Sequence, residues 1–561
     1  MCPTAMGRPR DIARHAPRLL LLAIVALGAF LRFYHIGNKS LWIDEAFSLW
    51  MGRQPVGQML DWLVRIDQHP PLYYLLLHLW MRLGDGEAIV RIPSALCSTL
   101  TIPVIYLLGC RLSGQRLGLL AALILAVSPF HVHFAQEARM YALFTLNASL
   151  AMLALARLLA DPCAATRALG QQFISFVRAW RTDRHRPPLR AIETDLAWLT
   201  YILLTAATLW IHNTAVLFPL ATNVFVFGQL IYRRFLSHSQ TPTLSLRNWL
   251  LAQAAAFLLW SPWLPAFITQ SAGVYREFWL PPLSWMTFGE VLLGFVSEFL
   301  PLPIPALGVI ICLHLALAVL GLIALRRWRT WAAFPLAFFA APFVGEVLVS
   351  LRRPILYGRT LIWISLPFYL LLAAGVWYFE PQRRKGGHWP PGRQGFLSSR
   401  LCGRELGGWR SLYAVAVVLA MLGLNGLSLH AYYTDFQKEE WDDAAALVAE
   451  RVDPGDLILF NATWMQIPFD YYFHRLSDAP VVEHGAPVDL FDRGVLEPKM
   501  AESDLPRLRS LIDGHGRVWL VYSHNWYTDP DGLIPLALEE KLDLQARWEL
   551  DEVQVWLYAA P

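Results

Sequence analysis

Four short stretches hold the side chains best suited to chemistry. In LWIDEAFSL, residues 41–49, Asp44 and Glu45 stand side by side just after the first long apolar run. In DQHPPLYY, residues 67–74, His69 precedes two prolines. SPFHVHFAQEARMYAL, residues 128–143, carries Glu137, Arg139 and Tyr141 between two apolar runs, and LRRPILYGRT, residues 351–360, carries Tyr357 and Arg359. An acid within hydrogen-bond reach of a hydroxyl or amine takes its proton. A guanidinium grips a phosphate through paired N–H bonds and stabilises charge on a leaving group. Two adjacent carboxylates also suit a hard divalent cation, although nothing in the sequence requires one.

Each stretch has a plainer alternative. Asp is a favoured helix N-cap, so Asp44 alone could do no more than start a helix. Glu137 and Arg139 alone could simply pair at a helix end, and His69 could be an ordinary interfacial histidine. His131 and His133 read as boundary residues beside Phe130 and Phe134, while His212 and Asn213 carry no clear signal. What favours the functional reading is that an acid beside hydrocarbon is costly, and that the order of the apolar runs brings all four stretches to one side of a membrane.

Those runs dominate the chain. Of its 561 residues 56% are hydrophobic and only 16% charged, and the mean hydropathy is +0.39, which excludes an ordinary soluble domain. Runs long enough to cross a hydrocarbon core of about 30 Å fall at 18–36, 92–110, 117–134, 141–158, 196–212, 214–232, 249–268, 304–325, 331–350, 360–379 and 411–430. The expectation is a polytopic α-helical membrane protein with about eleven spans. No small-residue cleavage site follows the first run, so it reads as a retained helix rather than a signal peptide. The segment 70–83 is apolar but short and opens on two prolines, which suits an interfacial or re-entrant helix.

Charge orients the bundle. Residues 1–430 carry 37 basic and 18 acidic side chains, and residues 431–561 carry 10 and 25. The basic excess collects at 8–18, 157–190, 232–247, 326–329 and 383–410. Short basic loops mark the cytoplasmic face; interleaved with spans they are topology signals rather than a nucleic-acid surface. The N-terminus is then cytoplasmic, and the four chemical stretches and the tail lie outside. The short loop 351–360 breaks the rule, because Arg352, Arg353 and Arg359 fall on the outer side. Lipid headgroups or an anionic ligand would explain them. The six cysteines (Cys2, Cys97, Cys110, Cys163, Cys312 and Cys402) show no metal-ligand spacing and none lies in the tail.

The division expected is a membrane part over 1–430, with outer loops at 37–91 and near 135–141, and an extracytoplasmic α/β domain over 431–561. In the tail, helices read at 439–452 and near 464–475, strands at 456–460 and 517–523, and a closing strand or hairpin at 548–559. It has no glycine-rich phosphate loop. A lid or acceptor platform fits it better than a catalytic unit.

Residue chemistry therefore points to glycosyl transfer from a lipid-phosphate sugar at the outer face, with the apolar body holding a polyprenyl tail. The main alternative from another class is a transporter for lipid-linked sugars, which would place charges and broken helices near the bilayer midplane. Here the charged motifs gather at the boundary.

At these residues the chain resembles the bacterial branch of the dolichyl-phosphate-mannose–protein mannosyltransferase-like glycosyltransferases, with the GT-C membrane fold, over nearly its whole length. LWIDEAFSL, HPPLYYLLLHLW, SPFHVHFAQEARMYAL and EEWDDAAALVAERVDPGDLILF carry the resemblance in order. It implies an inverting enzyme of the bacterial inner membrane that takes a monosaccharide from a polyprenyl-phosphate donor, with no metal implied. Asp44 falls on the family's essential aspartate, as base or acceptor-orienting group, with Glu45 completing the pair. Arg139 falls on the arginine expected at the donor phosphate. The acceptor would be a protein, a glycolipid or a polysaccharide. Related aminoarabinose transferases carry a lysine where this chain has His69, which weakens an assignment to lipid A modification; aminoarabinose-type transfer of a pentose or amino sugar to a glycolipid is the alternative within enzymes. Where relatives often read Arg-Tyr, this chain reads Arg359-Thr360, with Tyr357 nearby.

Overall fold

A computed structural model describes residues 9–67, 69–160, 189–236, 244–274, 280, 282–326, 329–378, 399–489 and 498–561. Much of the basic sequence expected to orient the bundle, at 161–188 and 383–398, lies outside the described residues.

Among the described residues, nine helices are long and apolar enough to cross a membrane, or ten if the bent pair Gln115–Ala126 and Pro129–Gln136 counts as one span. Eleven were expected. The run at 196–212 is the one not among them, and most of it lies in the helix Leu189–Leu209, of 21 residues. The segment 70–83 forms a nine-residue helix, Leu72–Trp80, and a single 3-10 turn, Met81–Leu83, well short of the ~20 residues that crossing needs. Close packing inside the bundle rests on small residues. A Cβ on Gly321 would lie 1.9 Å from the Leu371 carbonyl oxygen, and one on Gly375 would lie 2.1 Å from that of Leu317. The helices Ile304–Leu325 and Ser365–Val376 therefore touch backbone to backbone.

The 61° bend at 127–128 has a chemical cause. A helix end leaves carbonyls without partners, and here an arginine of the first span meets them. The fully buried Arg32 donates through Nη1 to the Ala126 carbonyl at 2.9 Å and through Nη2 to that of Leu125 at 3.0 Å, while its Nε bonds Ser98 Oγ at 2.7 Å. The chain then restarts at Ser128, whose hydroxyl caps the next helix. Arg32→Ala is expected to destabilise the bundle by about 1–3 kcal/mol through the Ala126 carbonyl it leaves unmet, whereas the Leu125 carbonyl keeps the Ser128 N–H. An unchanged melting temperature in detergent would contradict this account.

Between the first two spans lie three short helices, Ile43–Arg53, Val56–Arg65 and Leu72–Trp80. Val56–Arg65 is amphipathic: Met59 and Leu63 are buried, whereas Val56, Leu60 and Val64 are exposed four residues apart. That stripe suits a helix lying along a membrane surface.

After the long helix Ser399–Thr434 the chain forms a five-stranded sheet in the order β2-β1-β3-β5-β4. The strands are β1 (Leu457–Asn461), β2 (Val482–Ala486), β3 (Arg517–Ser523), β4 (Asp543–Glu549) and β5 (Val553–Ala559). β1 lies parallel to β2 and β3, and β3, β5 and β4 run antiparallel. β1, an interior strand, is buried at every position, which is why its first four residues read as an unbroken apolar run. The β4–β5 pair is the hairpin expected near 548–559. β2 was missed because VEHGA has neither an apolar run nor alternation.

Helix Gln466–Leu476 bonds this sheet domain to the first loop. Tyr472 Oη accepts the Leu41 N–H at 2.8 Å, and Tyr471 Oη donates to the Asp85 carbonyl at 2.8 Å. Trp464, just before that helix, packs edge-on against Phe47 with ring centres 4.6 Å apart.

Candidate active site

The loop helix Ile43–Arg53 sets the position of both early acids. Its N-cap is Trp42, which makes no side-chain cap, so Asp44 lies inside the first turn and does not act as the cap. The free N–H of Ile43 instead donates to Glu439 Oε2 at 2.8 Å, from the start of the sheet domain. Adjacent positions on a helix point about 100° apart, so the two carboxylates part company.

Asp44 faces a cavity of about 410 Å³. Its Oδ2 lies 3.0 Å from Arg359 Nη1 and 3.8 Å from Arg139 Nη2. Burial would raise its pKa, but Arg139 and Arg359 outweigh that and hold the carboxyl below its usual range. Arg139 is nearly enclosed: Nη1 donates to the Asp44 carbonyl at 3.2 Å and to Ser48 Oγ at 3.1 Å. Arg359 sits between rings, 4.8 Å from the centre of Tyr357, 5.5 Å from Trp42 and 5.8 Å from Tyr141. Such rings favour a cation over their faces. Tyr141 and Tyr357 also line the cavity.

Glu45 turns the other way. It is 0% exposed and does not line the cavity. Arg91 grips it with two bonds of 2.8 and 2.7 Å, Lys438 Nζ adds one at 2.8 Å and the Ala138 N–H another at 2.7 Å. Burial raises this carboxyl, yet Arg91 and Lys438 bring it down to about 2. Expected as half of a catalytic pair, Glu45 is placed as an anchor that ties three segments together. Glu137 is likewise away from the cavity, 3.2 Å from His133 Nε2 and 3.8 Å from Lys438. His131 is a buried structural residue, bonded through Nε2 to Ser365 Oγ at 2.7 Å.

His69 is in the cavity wall, with Nδ1 2.9 Å from Asp67 Oδ1 and its ring 5.0 Å from that of His212. Six of the eight residues picked from the sequence thus meet around one space: Asp44, His69, Arg139, Tyr141, Tyr357 and Arg359. The same wall includes Asp67, His212, Glu346 and Arg353, which sequence reasoning did not select as site residues. Glu346 comes from the span Arg329–Ser350 and accepts a hydrogen bond from Thr360 Oγ1. Nothing in its apolar surroundings marks it in the sequence except that an acid stands there at all. Most of the remaining wall is apolar, built from Phe47, Leu217, Phe267, Leu280, Val349 and Ile355 with Trp464 from the sheet domain, and Asn213, Thr214, Gln270, Ser271 and Thr360 add uncharged polar groups. A cavity that combines guanidiniums with a largely apolar lining suits an amphiphile with an anionic head.

Comparison with known proteins bears on the fold that holds this cavity. Residues 68–170 match the family model of dolichyl-phosphate-mannose-protein mannosyltransferase. No curated protein sequence matches. Among solved structures, ArnT from Cupriavidus metallidurans in the apo state aligns with 97% of this chain and 98% of its own, at 14% identity and a TM-score of 0.57. The same protein bound to undecaprenyl phosphate aligns with a TM-score of 0.55. The archaeal oligosaccharyltransferase AglB from Archaeoglobus fulgidus, in complex with an inhibitory peptide and a dolichol-phosphate, covers 98% of this chain and 75% of its own, at 11% identity and a TM-score of 0.53. The chain therefore has the GT-C membrane fold along nearly its whole length, and over residues 68–170 it is similar to the mannosyltransferase family model.

Proposed function

We propose that this protein moves a monosaccharide from a polyprenyl-phosphate donor to an acceptor at the extracytoplasmic face of a bacterial inner membrane, inverting the anomeric carbon. One observation carries the reading: a partly exposed carboxylate, Asp44, lies 3.0 Å from Arg359 where a cavity with an apolar wall gathers its charged groups. Arg359 and Arg353 hold the donor phosphate, the apolar wall takes the first prenyl units, and Asp44 orients the acceptor for attack from the opposite side of the sugar. Arg139 joins the two arginines from the cavity wall: its Nη1 serves the Asp44 carbonyl and Ser48, while its buried Nε has no hydrogen-bond partner among the described residues. Glu45 and Glu137 position the loop rather than touch substrate. No step calls on a divalent cation, because the guanidiniums supply positive charge beside Asp44. What ArnT and AglB are described as binding, undecaprenyl phosphate and dolichol-phosphate, supports the donor class.

The experiment is to incubate the purified full chain with a panel of undecaprenyl-phosphate monosaccharides and a bacterial membrane extract as acceptor source. Release of undecaprenyl phosphate from at least one donor is expected; none from any would sink the reading. Arg359→Ala is expected to raise the donor KM about 10- to 100-fold, the worth of a charge-assisted hydrogen bond. An unchanged donor KM would remove Arg359 from the phosphate.

A further inference from the structure

The Asp67–His69 pair has the geometry of an oriented base. His69 is followed by Pro70 and Pro71, and a residue before proline is confined to extended backbone. Its imidazole lies in the wall of the cavity that holds Asp44. Asp67, largely buried, meets Nδ1 at 2.9 Å. An ionised carboxylate only accepts hydrogen bonds, so the ring proton sits on Nδ1 and the lone pair is on Nε2.

The neighbouring histidine is built for the opposite task. His212 Nδ1 accepts the Thr214 backbone N–H at 3.1 Å and lies 2.9 Å from Thr214 Oγ1. Its proton must therefore be on Nε2, which is buried in the cavity wall with no hydrogen-bond partner among the described residues. Burial, with His69, Arg139 and Arg359 nearby, keeps its pKa well below the usual range. It is a fixed neutral donor, not a proton acceptor. Asp44 is committed to two guanidiniums, which stabilise its charged form at the expense of basicity.

We propose that His69 Nε2 takes the proton of a hydroxyl or amine acceptor, with Asp67 as its positioning residue, while Asp44 aligns the acceptor. This rests on the transferase reading above. The acceptor's proton passes to Nε2 as its lone pair forms the bond to the anomeric carbon. The bond from that carbon to the phosphate oxygen breaks, and its electron pair leaves on polyprenyl phosphate. The imidazolium, paired with Asp67, gives its proton to solvent before the next turnover. Among the described residues, the charged and titratable groups around the Asp67–His69 pair are His212, Asp44, Arg139, Arg359 and Tyr74, which bonds Asp67.

The test uses the full chain in lipid vesicles, the undecaprenyl-phosphate sugars mannose, glucose and arabinose, and membrane extract as acceptor, following undecaprenyl phosphate release from pH 5 to 9. His69→Ala is expected to lower kcat about 10²-fold, leave the donor KM within about threefold, and remove the acidic limb of the kcat profile. Asp67→Asn, which keeps His69 in place, is expected to lower kcat and move that limb to lower pH, because an imidazolium without its carboxylate is a stronger acid. It also keeps the test decisive should His69→Ala fail to fold. The proposal is overturned if either variant raises the donor KM with kcat and pH profile unchanged, or if His69→Lys restores turnover, since lysine would serve a phosphate contact but not this proton transfer. In those cases the transferase reading stands. Wild-type protein that releases no undecaprenyl phosphate overturns both.

Discussion

Asp44→Asn is expected to cut turnover by about 10³-fold or more while the protein still folds and inserts. Asparagine keeps the shape of the side chain and one carbonyl oxygen for Arg359, so the change removes charge rather than volume. That charge holds two guanidiniums in fixed places, Arg359 at 3.0 Å and Arg139 at 3.8 Å. Without it they repel one another, and misplacing a reacting group by about 1 Å costs on the order of 10²-fold. Loss of the charge that aligns the acceptor adds to this. Release of undecaprenyl phosphate, compared at equal amounts of monodisperse protein, measures the effect. Turnover within tenfold of wild type would show that Asp44 takes no part.

The membrane bundle was legible because hydrocarbon imposes one strong rule: long apolar runs become helices whose backbone bonds close internally. The β3 segment RVWLVYS was legible for a similar reason, as an apolar run bounded by turns. The shortfalls are local. The helix Leu189–Leu209 ends before the expected boundary at 212, and the Trp210 carbonyl just beyond it accepts from the Leu72 N–H at 3.1 Å, so it serves the first-loop helix instead. β2 is specified by its neighbour β1 rather than by its own pattern.

The site was legible as a set of motifs, but not in its division of labour. Asp44 and Glu45 are adjacent letters with equal claims; only the helix turn sends one to the cavity and the other to Arg91. Arg91 and Lys438 are 347 positions apart in sequence and carry no local signal, yet they decide what Glu45 does. His212 looked empty because its meaning lies in a tautomer set by Thr214. Asp67 was written beside His69 in the same motif, and what escaped notice was a carboxylate two residues before a histidine held rigid by prolines.

Glu45→Ala is expected to destabilise the protein by about 3–5 kcal/mol, the cost of leaving a buried charge without its partner. The truncation strands Arg91, which also donates to the Ile36, Lys39 and Ser40 carbonyls and so shapes the turn leading into the Asp44 helix. Arg91 is the firmer partner, because burial draws the Lys438 ammonium below its usual range in spite of Glu45. The stabilisation has a pH signature. The folded carboxyl titrates at about 2 against an ordinary 4.5, so the contribution is complete above about pH 4.5 and drains away as pH falls toward 2. Melting temperatures of wild type and variant should therefore differ most near neutrality and converge in acid. A constant gap down to pH 3 would mean that the lost stability came from packing rather than charge. Since Lys438 and Glu439 belong to the segment entering the sheet domain and brace the helix that bears Asp44, the variant should also lose turnover below its melting temperature. The fold thus makes the position of the cavity carboxylate, Asp44, depend on a second acid buried outside the cavity.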